Sequence, residues 1–171
     1  AMATFLRNRT NTDLLLPKNH CYDILSISQK SAELDALARR LRREHGDIDV
    51  VVGGPPCQGY SGIGHRRSFE IDKEEIPSNH LYREMARVVQ AIGPKFFVFE
   101  NVRGLLNSKW TSGGESGEIW RDVQKAFRRI SIKRGAKLFD YKIASSLLLA
   151  KDYGVPQNRP RVIMKIGRAH V

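Results

Sequence analysis

Two short runs without a polar residue, Val50-Val51-Val52 and the FFVF of residues 96–99, flank a segment whose apolar residues recur at helical spacing. Of everything in the chain, this order constrains the fold most. A strand, an amphipathic helix and a second strand form a βαβ unit, with a right-handed crossover and parallel, usually neighbouring strands. The helix spans 81–92, with Leu81, Met85, Val88, Val89 and Ile92 on one face and Gly93-Pro94 as its stop. Runs that do not alternate are those of parallel strands covered on both faces. Both strands then deliver their next residues to one sheet edge, where open α/β sheets bind their ligands. Cys57 follows the first strand and Glu100-Asn101 the second, so the topology alone predicts a shared crevice.

The approach to Cys57 is Gly53-Gly54-Pro55-Pro56. The prolines stiffen the backbone and the glycines admit a closely approaching ligand, a good mounting for a nucleophile. A buried structural cysteine in a turn explains this segment equally well. A bare glutamate after a strand is more often a surface residue, and Arg159 and Arg161 more often a surface pair. Together, a thiol, a carboxyl group and paired arginines at one edge point to covalent catalysis on an electron-poor, anionic substrate.

The remaining elements follow from the same periodicities. Residues 1–17 are ambiguous, with Asp13-Leu14-Leu15-Leu16 as a candidate strand. Cys21-Tyr22-Asp23-Ile24-Leu25 reads as a strand end and turn, with Asp23 near the strand's carboxyl end or, more plainly, as an N-cap or Asx turn. Segment 32–45 is a helix with Leu34, Leu37, Ala38 and Leu41 inward, ended by Gly46 and carrying Arg39, Arg40, Arg42 and Arg43 outside. Residues 59–79 read as a long loop, 119–130 as a helix, 141–147 and 161–166 as strands, and 152–157 as a turn. No segment repeats.

Of 171 residues, 41% are hydrophobic, enough for one core, and no run is long and apolar enough to span a bilayer. Two cysteines, Cys21 and Cys57, without metal-ligand spacing to histidine make a zinc site or disulfide framework an unlikely design and fit a reducing cytosol. The formal charge of +11, from 29 Lys and Arg against 18 Asp and Glu, points to a polyanionic partner, most simply nucleic acid.

Three motifs then meet. Pro56-Cys57-Gln58, Glu100-Asn101-Val102 and Gln157-Asn158-Arg159-Pro160-Arg161 stand in this order, each at a strand end assigned above. In this the sequence resembles the DNA cytosine-5 methyltransferases, with their PCQ, ENV and Q-x-R-x-R motifs, over about residues 3–165. The resemblance implies an α/β fold, a Rossmann-like doubly wound sheet of the S-adenosylmethionine-dependent methyltransferase type, incomplete here. It implies that Cys57 adds to C6 of a cytosine flipped from duplex DNA, with Glu100 on the N3 and amino edge and Arg161 on the carbonyl oxygen. Gln58, Asn101 and Arg159 join this catalytic group, and Asp23, Ile24, Pro56 and Leu81 contact the S-adenosylmethionine cofactor. Ser61, His65, Arg66, Arg67 and Gln157 face the DNA, and no metal or membrane is involved.

The family's first strand with its F-x-G-x-G loop, the acidic residue on the next strand and the target-recognition region have no counterpart here. The resemblance therefore implies a central piece of a catalytic domain, inactive alone and prone to self-association, acting in a bacterial cytosol or nucleoid. Residues 166–171, IGRAHV, match a translated sequencing adapter, so the domain is expected over 1–165 with a non-native tail. The competing functions are a tRNA cytosine-5 methyltransferase using the same residues, and a non-catalytic basic module that binds nucleic acid.

Overall fold

The computed structural model describes residues 23–56 and 72–168. Their elements are, in order, α1 (Ile24–Ser28), α2 (Ser31–His45), β1 (Val50–Gly53), α3 (Leu81–Ile92), β2 (Phe96–Val102), α4 (Glu118–Arg128), β3 (Ser131–Arg134), β4 (Lys137–Leu149) and β5 (Pro160–Arg168). Short 3-10 turns at Lys73–Glu75, Pro77–His80, Arg103–Asn107 and Ala150–Tyr153 complete the path.

The five strands form one mixed sheet in the order β1-β2-β5-β4-β3. β1 and β2 are parallel and adjacent, Val51 opposite Phe97 and Gly53 opposite Phe99, with α3 as the crossover between them. β5 runs antiparallel to both β2 and β4, so β4 points the same way as the parallel pair. Phe97, Phe99, Met164 and Ile166 fill one face of the sheet against Met85 and Val89 of α3 and Ile119, Val123 and Phe127 of α4, all of them buried. The Phe127 ring lies 5.0 Å from that of Phe97 and meets Phe99 edge-on at 5.6 Å, within the range where aromatic pairs attract beyond simple burial.

α3 has the bounds its periodicity predicts, because Gly93 takes the left-handed conformation at its end and Pro94 cannot continue it. The turn into β2 is then fixed from three sides. Arg42 donates to the Ile92 carbonyl at 3.1 Å, Arg134 to Gly93 at 2.9 Å and the Tyr141 hydroxyl to Pro94 at 2.5 Å. These satisfy carbonyls that a helix end leaves unpaired.

Several expectations are corrected. β1 is not covered on both faces among the described residues: it is the sheet's edge, with Val50 50% and Val52 71% exposed and Phe96 beside them at 55%. Of the expected strand end and turn at Cys21–Leu25, Cys21 and Tyr22 lie outside the described residues, Asp23 is the extended N-cap of α1, and Ile24 and Leu25 open that helix. Residues 72–79, the described part of the expected loop, contain two 3-10 turns, Lys73–Glu75 and the start of Pro77–His80. The strand expected at 141–147 begins at Lys137, and pairs with an unforeseen β3 across a turn at Gly135-Ala136. β5 itself runs on to Arg168, and Ile166 is fully buried opposite Phe97.

Candidate active site

The reactive edge is built where β1 leaves the sheet before β2 does. β1 ends at Gly53 opposite Phe99, while β2 continues to Val102 alongside β5. Beyond Gly53, β2 has no strand on that side, and the Asn101 side chain takes the strand's place. Its Nδ2 donates to the Pro55 carbonyl at 3.2 Å, and its Oδ1 accepts from the Val102 amide at 2.8 Å. Asn101 is 3% exposed, so it acts as a buried clamp on the proline segment that leads to Cys57.

Gly54 crosses directly over Glu100. A Cβ on Gly54 would stand 2.9 Å from Glu100 Oε2 and 3.5 Å from the Glu100 carbonyl, so a side chain there would displace the carboxylate. A Cβ on Gly53 would collide with the Met85 side chain, and its absence lets α3 close on β1. The two glycines thus bring the segment onto β2 from one side and onto α3 from the other.

Glu100 and Arg161 form an ion pair, Nε to Oε1 at 2.6 Å, with Arg161 Nη1 also donating to the Pro160 carbonyl at 2.8 Å. Arg161 pairs with Val102 in the β2–β5 register, which sets it diagonally across from Glu100 on one face. The pair is partly open to solvent, at 41% and 23% side-chain exposure, so it adds at most about 1 kcal/mol to stability. Its value lies in orientation: a carboxylate and a guanidinium fork held side by side at the crevice.

On the other side of the same segment lies a cleft of about 300 Å³, with Ile24, Val51, Pro56, Leu81 and Met85 in its mostly apolar wall. Three expected cofactor contacts, Ile24, Pro56 and Leu81, therefore come together. Asp23 does not line the cleft: it is the N-cap of α1, its Oδ1 accepting from Leu25 N at 2.9 Å, the plainer of its two expected roles. Arg159 and Gln157 lie exposed in the turn before β5, and Arg159 makes no ion pair among the described residues. Cys57, Gln58, Ser61, His65, Arg66 and Arg67 lie outside the described residues.

Two supporting contacts carried no sequence signal. Glu84, 8% exposed, accepts from Ser28 Oγ at 2.5 Å and from Arg87 Nη1 at 2.6 Å, tying α1 and its Ile24 to α3. His80 stacks on Trp110, ring centroids 4.8 Å apart, and the Trp110 indole donates to Asp122 at 2.9 Å, which fixes residues 77–80 against α4. Nearby, burial holds the Tyr82 phenol above its ordinary pKa and lowers that of the Lys73 ammonium. Among the described residues no three His, Cys, Asp or Glu side chains gather as a metal site, and no helix is long and apolar enough to cross a membrane.

A parallel strand pair with its helix crossover, and a reversed strand that brings an arginine onto the neighbouring glutamate, define an α/β protein with a charged pair at its sheet edge. A solved DNA modification methyltransferase encoded within an E. coli prophage is similar over 81% of this chain and 32% of its own, with 27% identity and a TM-score of 0.52. Residues 9–168 match the family described as C-5 cytosine-specific DNA methylase, and the chain belongs to that family. It is 40% identical over 135 residues to the Type II methyltransferase M1.HphI of Haemophilus parahaemolyticus, covering 78% of this chain and 30% of that protein. It is 38% identical over 135 residues to M.XorII of Xanthomonas oryzae pv. oryzae, covering 77% and 27%. The chain thus spans about a third or less of the length of these relatives.

Proposed function

We propose that this chain carries the reactive edge of a DNA cytosine-5 methyltransferase, the modifying partner of a bacterial restriction system acting in the cytoplasm. The observation that carries this reading is the shared Gly53–Pro56 segment, with the charged Glu100–Arg161 pair on one side and the apolar cleft on the other. A group-transfer enzyme needs its donor and acceptor sites in such contact. Cytosine offers a ring nitrogen and an exocyclic amine beside a carbonyl oxygen. Glu100 suits the first two and the Arg161 fork the third.

The cleft fits the flat, apolar ring of a nucleoside cofactor: its volume lies at the lower end of ligand pockets, and Gly53 and Gly54 keep its floor at backbone level. Ile24, Val51, Pro56 and Leu81 would hold that ring. S-adenosylmethionine, when bound, supplies an electrophilic methyl group. The Cys57 thiolate forms a bond to C6 of the extruded base, and the C5–C6 electron pair moves toward C5, stabilised by a proton shared between Glu100 and N3. Once C5 carries the methyl group, loss of its proton returns the electrons to C5–C6 and expels the thiolate. Asn101 holds Pro55, and so sets the line along which the sulfur approaches.

The test uses the protein as its gene encodes it, with duplex DNA containing 5-fluorocytosine and S-adenosylmethionine. Fluorine at C5 blocks the final proton loss, so a covalent complex accumulates, and Cys57→Ser forms none. Absence of any adduct with the parent protein, across duplexes of varied sequence and a tRNA control, removes the reading. An adduct on tRNA alone reassigns the substrate.

A further inference from the structure

Among the described residues the excess of positive charge is not at the reactive edge. There, Lys73, Arg103, Lys109, Lys151 and Arg159 stand among Asp72, Glu74, Glu75 and Asp152, while Arg121 is paired with Glu115 and Arg161 with Glu100. At the opposite end of the sheet the balance fails. Lys125, Arg128 and Arg129 of the last turns of α4, with Lys133, Lys137 and Lys142 of the β3–β4 hairpin, are exposed and form no ion pair among the described residues. Of the acids nearby, Asp47 is taken by Arg134 and Asp49 by Lys95 at 2.5 Å, which leaves Asp140 on the hairpin as a single carboxylate against six cations.

These cations share a rigid mount. β3 follows α4 after a two-residue link, and Gln90 of α3 binds Ser131 in both directions, Nε2 to the carbonyl at 2.5 Å and Oε1 from the amide at 3.2 Å. Beside Lys133 opens a groove of about 450 Å³ between α2, α3 and β3, lined by Ser31, Asp35, Arg42, Arg87 and Gln90 as well. Arg87 is neutralised by Glu84, so Arg42 and Lys133 face the single carboxylate of Asp35 and the groove is mildly basic. β4 spans 13 residues, so the hairpin tip lies about 40 Å from the reactive edge.

We infer that this far end, the β3–β4 hairpin with the last turn of α4, is a second contact surface for nucleic-acid phosphates, independent of base sequence and of the reactive edge. The inference rests on the proposed function only for the identity of the polyanion. A lipid surface fits less well, because near the hairpin tip Leu138 is the one large apolar side chain exposed among the described residues, the other on β4, Leu147, lying at the far end of the strand, and interfacial binding needs an apolar face. Cations without acidic partners are those that can replace condensed counterions on a phosphate backbone, and each phosphate so neutralised adds about 0.9 to the slope of log K against log salt.

The test is fluorescence anisotropy of a short duplex with the 171-residue chain, repeated from about 50 to 200 mM salt. Replacing Arg128, Arg129, Lys133 and Lys137 together by Gln is expected to lower the slope by about 2 to 3.6 and to weaken binding at least about tenfold at 100 mM salt. Replacing Arg103, Lys109 and Lys151 instead leaves most of the slope. A change below about 1 in the first variant, with its circular dichroism unaltered, overturns the inference. Should that variant not fold, lysine-selective labelling of the parent decides: Lys133 and Lys137 are protected by duplex, whereas protection of Lys151 alone overturns it. Loss of binding to phosphatidylserine vesicles with an unchanged DNA slope also overturns it, in favour of a lipid surface. Failure of the fluorocytosine adduct with a reduced slope removes the methyl-transfer reading and leaves this surface standing.

Discussion

Replacing Asn101 by alanine isolates the clamp that stands in for a missing strand. The side chain is buried and makes two hydrogen bonds, to the Pro55 carbonyl and from the Val102 amide. Removing it strands both partners beside β2. Each lost bond costs about 0.5–1.5 kcal/mol, and an unsatisfied buried group up to about 3, so the expected destabilisation is about 2–3 kcal/mol. Urea unfolding followed by circular dichroism measures it as a shift of midpoint at constant slope. Asn101→Asp separates the two bonds, since its carboxylate still accepts from Val102 but can only repel the Pro55 oxygen. In the gene-encoded protein a loop displaced by about 1 Å is expected to slow methyl transfer about a hundredfold in both variants. If both unfold within about 0.5 kcal/mol of the parent and transfer methyl groups at its rate, Asn101 does not position the loop.

Gly54→Ala should push the Glu100 carboxylate off Arg161, and, with most of the contact at a movable side-chain end, lower methyl transfer far more than the unfolding midpoint. Glu100→Gln should slow methyl transfer about a hundredfold or more while the urea midpoint stays within about 1 kcal/mol, and an unchanged rate would remove Glu100 from the chemistry. Glu84→Ala should cost about 1–3 kcal/mol by leaving Ser28 and Arg87 unpaired, and loosen α1 so that amide exchange rises at Leu25 and Ser28. Tyr82 has its pKa raised, so the stability it lends is complete below its ordinary pKa of about 10 and is lost as pH climbs through the raised value; Tyr82→Phe should flatten the alkaline fall in unfolding midpoint.

The parts of the fold that were legible in sequence are those where local signals agree. Helix α3 has a continuous apolar stripe, a left-handed glycine and a proline, and both its ends were readable. β2 and β5 are legible from their apolar runs; the βαβ rule sets Cys57 beside Glu100, and although Cys57 lies outside the described residues, Pro55, two residues before it, meets β2 at Asn101. The hairpin β3 was missed because SIKR is short and half charged, and its pairing is set by β4 rather than by its own propensity. Val50 and Val52 were assigned to a covered strand because periodicity registers apolar character, not what lies opposite. Glu84 was invisible for the converse reason: a charged residue in a helix reads as solvent-facing until a distant Ser28 closes over it. Asn101 was marked by its motif, but its task depends on β1 stopping two residues short of it, which only the paired strands reveal.

β5 bears on how such a chain can vary. Its placement comes from two ladders, one to each neighbour, which set Arg161 opposite Val102 and opposite Leu148. The turn before it, 150–159, contributes few of those bonds, so residues gained or lost there alter a closure entropy that grows only slowly with length. Within β5 the tolerance vanishes. One inserted residue after Arg161 would either send the arginine to the opposite face or eject Ile166 from the core. Homologous chains should therefore differ freely in the spacing between β4 and the arginine motif, yet keep the count from that arginine to the buried isoleucine fixed.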